Sequence, residues 1–554
     1  MIGAVIALLA FASTCFAADV ELGKDGWFRT ADGALFVPLG GFHGNVLPLA
    51  LLDLGRAELR RVEPFLWSAQ KLGGRGYLDL SDASDETLRG WFKLLAKNGV
   101  TALRLFPRAR VSPDTLDLCG KLNPDLERTL NRAFAAARPY GIRFLLQILP
   151  EPKLTGYWNH SIAVQYALPR YSKQELDELT PAQRRFLIEG KHVEHTTWFT
   201  DPDVLACQKL YLESALRWVA AEPQVFALEV YNEQGTARPP PKRLAEFPAN
   251  WEDAEIAWTA EIIRFIHERL PGMPVTISHP GYGLAGYDPI QWTRRTGADF
   301  YSTHFYAGTC GENADADFSA VTGAASAVLR AAGTATFPGE WGVLDDKVPR
   351  EILLRAQRDA LWLSLLSGAS GFMQWNYDFL DEYRWPQQVF RSLPPGFSPD
   401  PPRPVDDLAA AWRAFQEDPA ASSPPWFQLN PRRAASPDLR AILSRYRQSL
   451  DRGVPIRAEG GYQVACLADT AHRTWIAYLR SREIRAFGKT FLGVPVKAPL
   501  EITCTLPEGD YAADLIDLTR DRVRRLRLGA SAKIPVSRNT DADYVLVITR
   551  SAAY

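Results

Sequence analysis

The chain has 554 residues, 46% of them hydrophobic, 23% charged and 11% aromatic, which is a globular composition. That length is too great for one ordinary domain, although a single closed barrel can take up well over half of it. A formal net charge of -1 and a pI near 6.7 exclude a global electrostatic pull toward nucleic acid or anionic membranes.

Residues 1–17 read as an export signal. Ile2 to Phe11 is almost wholly apolar, and Cys15-Phe16-Ala17 precedes an abrupt polar switch at Asp19. The run is too short to span a bilayer, so the expectation is a secreted or periplasmic protein with no integral membrane segment after signal removal. Of the six cysteines, Cys15 lies in the signal; Cys119, Cys207, Cys310, Cys466 and Cys504 make neither a disulfide framework nor a paired-cysteine metal motif. Cys466 and Cys504 both fall in strand-like text, where they could pair or stay as free buried thiols.

Residues 18–390 carry the text of a parallel α/β fold. A first strand runs into the Gly-rich turn ending at His43 and Asn45, and a long connection leads to a helical pattern from Asp85 to Lys97. Gly99 to Phe106 is a buried strand with a charge inside it, Arg104. Helix Leu122 to Tyr140 and strand Gly141 to Leu149 follow. The next connection, Pro150 to Asp201, is far longer than usual and holds Tyr157, Trp158, His160, Tyr166, Tyr171 and Trp198, so it is a candidate wall or lid for a cleft. Helix Leu205 to Ala220 leads into Val225 to Gln234, an apolar run that ends on Asn232 and Glu233. Then come helix Asp253 to Leu270, strands Pro274 to Ser278 and Ala298 to Tyr306, helix Ser319 to Ala332, a strand bearing Glu340, helix Arg350 to Leu366 and strand Ala369 to Asn376. Eight strands with intervening helices predict a (β/α)8 TIM barrel, whose functional residues gather at the C-terminal strand ends.

Residues 391–455 read as a Pro-rich connection with helices at Asp406 to Phe415 and Leu439 to Leu450. From 456 to 554 short strands follow one another without a helix, the signature of a smaller all-β sandwich domain.

Two strand ends each present a carboxylate, Glu233 and Glu340. Two carboxyl groups brought together are the minimum apparatus for cleaving a glycosidic bond. An acid at a strand end also serves as a helix cap or an ion-pair partner, so neither is decisive alone. Asn232-Glu233, His304-Phe305-Tyr306, Gly339-Glu340-Trp341-Gly342 and Trp375, together with Arg104, resemble in their order the retaining glycoside hydrolases of clan A, most closely family five, the cellulase and mannanase family. The resemblance covers roughly residues 27 to 380. It implies Glu233 as general acid/base and Glu340 as nucleophile, with Asn232 on the sugar 2-hydroxyl. It further implies Arg104 and Tyr306 orienting Glu340, His304 lining the subsite and Trp375 flooring it. Trp341 and Trp158 are further candidate sugar contacts.

Two positions depart from that pattern. Gln234 stands where the family usually has Pro, and the third strand ends at Gln147 without the family's His, a place that His43 or His160 could fill in space. The expected partner is a β-linked oligo- or polysaccharide, with no nucleic acid, no cofactor and no metal; oligomeric state leaves no trace in the sequence. His192 and His195 flank Glu194 without metalloprotease spacing. Gly368 to Phe372 lacks the last glycine of a nucleophile elbow. The basic run from Arg520 to Arg527 reads as a charged strand that blunts a sheet edge. The rival reading is a non-catalytic carbohydrate-binding barrel.

Overall fold

The computed structural model describes residues 19–43, 46–48, 77–80, 83–105, 116–117, 121–122, 124–149, 173–178, 181, 198–234, 250–279, 288–307, 317–343, 350–375, 380–401, 403–417, 437–452, 454–458, 462–487, 490–495, 501–536 and 542–551. The proposed signal and most of the aromatic 150–201 connection, Trp158 and His160 included, lie outside them.

Among the described residues a small hairpin comes first, β1 (Val20–Leu22) against β2 (Phe28–Thr30). The barrel strands are β3 (Leu39–His43), β4 (Ala102–Leu105), β5 (Arg143–Gln147), β6 (Val225–Glu229), β7 (Val275–His279), β8 (Phe300–Ala307), β9 (Ala335–Val343) and β10 (Phe372–Gln374). Each pairs in parallel with its chain neighbour, and β10 pairs with β3. The ring closes because Ser370 N–H donates to Thr336 O at 2.9 Å and Trp375 N–H to Trp341 O at 2.8 Å. Eight parallel strands so closed are a TIM barrel.

The helices arise as their sequences dictate. In α1 (Asp85–Lys97) Ser84 caps the Thr87 N–H, and Leu88, Trp91, Phe92 and Leu95 recur at helical spacing on the buried face. Then follow α2 (Pro124–Ala137), α3 (Pro202–Ala220), α4 (Trp251–Arg269), α5 (Pro289–Thr296), α6 (Phe318–Ala331) and α7 (Arg350–Leu366). The short α5 joins β7 to β8, where sequence reasoning placed strand directly after strand. Its signals are Asp288 capping two N–H groups, Pro289 in the first turn and Gly297 left-handed at the C-terminal end.

Side chains alternate across the barrel wall. Ala102, Leu145, Phe226, Phe300, Phe337 and Met373 point inward as an apolar floor. Phe28, carried up by the β1–β2 hairpin, plugs that floor edge-on against Phe226 and Phe300, both at 5.3 Å. Outward residues such as Leu103, Leu146, Leu228 and Ile277 join the layer beneath the helices.

His279, at the outward end of β7, stands edge-on to Trp292 and takes a 2.9 Å contact between Nδ1 and the Tyr301 hydroxyl. Burial, with the nearby His304, pushes its pKa down to about 3. The unfolded chain gains a proton below about pH 6.5 that the folded protein refuses, so stability is lost as pH falls from about 6.5 toward about 3. Urea midpoints measured against pH should therefore fall less steeply for His279→Gln than for wild type. Parallel curves would contradict a buried neutral imidazole.

The C-terminal region is a sandwich. Its larger sheet contains β12 (Gln463–Asp469), β13 (Thr474–Arg480), β18 (Tyr544–Arg550), β15 (Tyr511–Asp517) and β16 (Arg522–Leu528), in that spatial order after a short strand at 399–400. Its smaller sheet is β11 (Ile456–Ala458), β14 (Glu501–Thr505) and β17 (Ser531–Pro535). One face of the larger sheet (Cys466, Trp475, Leu515, Leu546) packs on Ile502, Cys504 and Ile534 of the smaller. The opposite face (Leu467, Ile476, Tyr478, Val545) joins the barrel's own core, so β13 is buried along its whole length. Cys466 and Cys504 are free buried thiols. The arginine-rich β16 lies at the sheet edge, mostly exposed, as its charge pattern predicts.

Where the two domains meet, the contact is also ionic. Arg480 of β13 is buried and donates to both oxygens of Asp317, at the start of α6, and to Asp359 of α7 at 2.6 Å. Tyr478 donates to the same Asp359. Asp543 accepts from Ser481 N–H and hydroxyl, both at 2.8 Å, and from Arg355 of α7.

Candidate active site

Above the apolar floor the inward positions turn polar. Arg104 of β4 is buried between outward Leu103 and Leu105, and every side of its guanidinium is engaged. Nε and Nη2 donate to the two oxygens of Glu229 at 2.7 Å each, Nη2 also to Asn232 Oδ1 at 2.8 Å, and Nη1 to Glu340 Oε1. Burial works against the charged form, but the attraction of Glu229 and Glu340 outweighs it and raises the guanidinium pKa further.

Glu233 follows the end of β6 in a left-handed conformation, φ 55, uncommon for a residue with a side chain. β7 holds it there: the Ser278 hydroxyl accepts the Glu233 N–H at 2.9 Å, and Ser278 O accepts the Gln234 N–H at 2.7 Å. Such strain persists only where surroundings over-determine it, and it is commonest at functional sites.

Glu340 is set by a register shift. β8 pairs regularly with β9 up to Thr303, and the bulge there brings His304 opposite Glu340. Gly339 makes this approach feasible, since a Cβ there would lie 1.9 Å from Ser302 Oγ. His304 Nδ1 then sits 3.2 Å from Glu233 Oε1 and 3.5 Å from Glu340 Oε2. A carboxylate oxygen from each acid and a ring nitrogen all lie within 4.8 Å of one another, and all three side chains are buried. As metal donors they fit poorly, because the Arg104 guanidinium already rests on Glu340 and would repel a divalent ion. As an acid–base pair they fit well, since retaining glycosidases hold their carboxyls about 5–5.5 Å apart and inverting ones about 6.5–9.5 Å.

The barrel thus brings together Arg104, Asn232, Glu233, His304 and Glu340 from β4, the turn after β6, β8 and β9. Trp375, partly exposed, stands at the end of β10. Tyr306 and His43 lie in β8 and β3, but their side chains, like the whole of Trp158, fall outside the described residues. Two expectations need correcting. Trp341 is not a sugar contact: with Glu340 turned inward its neighbour must face out, and it is buried in the helix-side core near Phe372. Trp198 is likewise fully buried rather than part of a cleft wall.

Glu229 and Ser278 escaped notice in the sequence. A signal was present for Glu229, an acid inside an otherwise apolar strand, the same oddity that singled out Arg104.

Neither a family model nor a curated protein matches the chain. Among solved structures, one described as a glycoside hydrolase aligns over 97% of this chain and 98% of its own at 9% identity, with a TM-score of 0.46. A glycoside hydrolase family 5 from Bacteroides vulgatus aligns over 97% and 94% at 10% identity, with a TM-score of 0.46. An exo-β-1,4-mannosidase from Opitutaceae bacterium strain TAV5 aligns over 78% and 64% at 16% identity, with a TM-score of 0.41. Likeness at this level carries no chemistry, which rests on the side chains.

Proposed function

We propose that the protein is a glycoside hydrolase that cleaves the β-glycosidic bond of an oligo- or polysaccharide with retention of configuration. The observation that carries this reading is the buried pair Glu233 and Glu340, with oxygens within 4.8 Å, at the C-terminal end of the strands. Glu340, fixed by Arg104, attacks the anomeric carbon as its carboxylate. Glu233 gives its proton to the departing oxygen, so the C–O bond breaks as the glycosyl ester forms. Glu233, now a carboxylate, takes a proton from water; that water attacks the same carbon and releases Glu340. Asn232, itself held by Arg104, is placed to accept or donate at the sugar 2-hydroxyl, and Trp375 offers a stacking face.

The test is the anomer formed first. Proton NMR of an aryl β-glycoside digest should show the β-sugar before mutarotation, with a rate that follows a bell in pH and is insensitive to EDTA. An α-anomer as first product would exclude the double displacement. Glycans that bind, shift the melting temperature and are never cut would favour the non-catalytic rival.

A further inference from the structure

The two proposed catalytic acids come from distant parts of the chain, yet each is one contact away from the same third carboxylate. Glu229 is fully buried and accepts from three donors: Arg104 Nε, Arg104 Nη2 and the Ser278 hydroxyl at 2.6 Å. Through Arg104 it adjoins Glu340 and Asn232; through Ser278 it adjoins the backbone N–H of Glu233. Its hydrogen bonds run to Arg104 and Ser278, the groups that adjoin the two acids, so its part in bond breaking is indirect.

We propose that Glu229 is a positioning residue that apportions the charge of Arg104 between itself and Glu340 and, through Ser278, holds the strained turn that aims Glu233. The inference rests on the glycosidase reading above. Its physical basis is a charge count. One guanidinium faces two buried carboxylates, and Glu229 takes two of its N–H groups where Glu340 takes one. Glu340 therefore feels a partly neutralised cation: ionised enough to attack, yet not clamped so firmly that its lone pair is withdrawn. Beside Glu340, in addition to Arg104, stand His304 of β8, with Nδ1 3.5 Å from Oε2, and Glu233 after β6, with an oxygen within 4.8 Å.

The sign of the effect separates this role from simple scaffolding. Glu229→Gln keeps the shape and removes a negative charge. Glu340 then faces the whole of the Arg104 charge and becomes a weaker base. The acidic limb of kcat against pH should move down by about one pH unit, with kcat lowered on the order of tenfold to a hundredfold and KM changed little. Glu229→Asp, which restores the charge, should bring the limb back toward wild type. If Glu229 merely props Arg104 in place, the Gln variant slackens the guanidinium, Glu340 loses its cation, and the limb moves up instead. Ser278→Ala cuts only the other arm, so kcat should fall with the acidic limb unmoved; should Glu229→Gln not fold, unchanged kcat in this variant would overturn the proposal. A limb that stays at its wild-type position, or rises, in active Glu229→Gln enzyme overturns it as well. Wild type that hydrolyses no glycoside would instead bring down the functional reading, and this inference with it.

Discussion

Glu340→Ala should lower turnover of an aryl β-glycoside on the order of 10⁵- to 10⁶-fold, as expected when a nucleophile that acts as a unit with its partners is removed, and azide should restore part of the rate. The variant should still fold. Arg104 keeps both bonds to Glu229 and one to Asn232, so removing Glu340 leaves no orphaned buried charge. Azide fits the space the carboxylate vacates and attacks the anomeric carbon from the same side, with Glu233 still supplying the proton to the departing oxygen. The product is then a glycosyl azide of inverted configuration, identifiable by NMR, and its anomeric form reports which acid was deleted. A Glu340→Ala enzyme within tenfold of wild type would remove Glu340 from the reaction altogether.

The largest effect on stability should come from Arg480→Ala, far from the chemistry. Arg480 is buried, and its carboxylate partners hold it charged well above the usual arginine range even though burial opposes that charge. Its removal takes from Asp317 and Asp359 the buried cation that pairs with both inside the junction between barrel and sandwich, leaving Arg447 at 4.0 Å from Asp317 and the Tyr478 hydroxyl on Asp359. Breaking a buried pair from one side costs about 3–5 kcal/mol, whereas replacing both sides together is often close to neutral. Arg480→Met combined with Asp317→Asn and Asp359→Asn should accordingly lose less than Arg480→Ala alone; Asn at 317 can still cap α6. Chemical denaturation followed by tryptophan fluorescence would show the difference. A loss below about 1 kcal/mol for Arg480→Ala, the size of an exposed pair, would mean that water reaches this junction.

Much of the barrel was readable because each buried strand is a short apolar run between helices of 3.6-residue period, and such runs have few other places to go. α1 and α7 run where their periodicity placed them, Asp85–Lys97 and Arg350–Leu366. The short α5 was hidden because eight residues hold barely two turns, too little for a periodic signal even with Asp288 and Gly297 marking its ends. Trp341 was misjudged because nearness in sequence to a candidate acid was taken for nearness in space, and strand alternation sends it the other way. Glu229 shows a deeper limit. That an acid within a strand needs a cation follows from its burial, but which cation it meets depends on ring closure, and Arg104 is 125 positions away. The ionic junction was equally hidden, since Asp317, Asp359, Arg480 and Asp543 come from four separate elements.

The Phe28 plug has a consequence for traffic. With the described aromatic rings stoppering the barrel from below, the proposed reaction takes its sugar and its water, and releases its alcohol, through a doorway at the upper rim. Whatever stands in that doorway therefore controls the wetness of the reaction as well as the admission of its substrate.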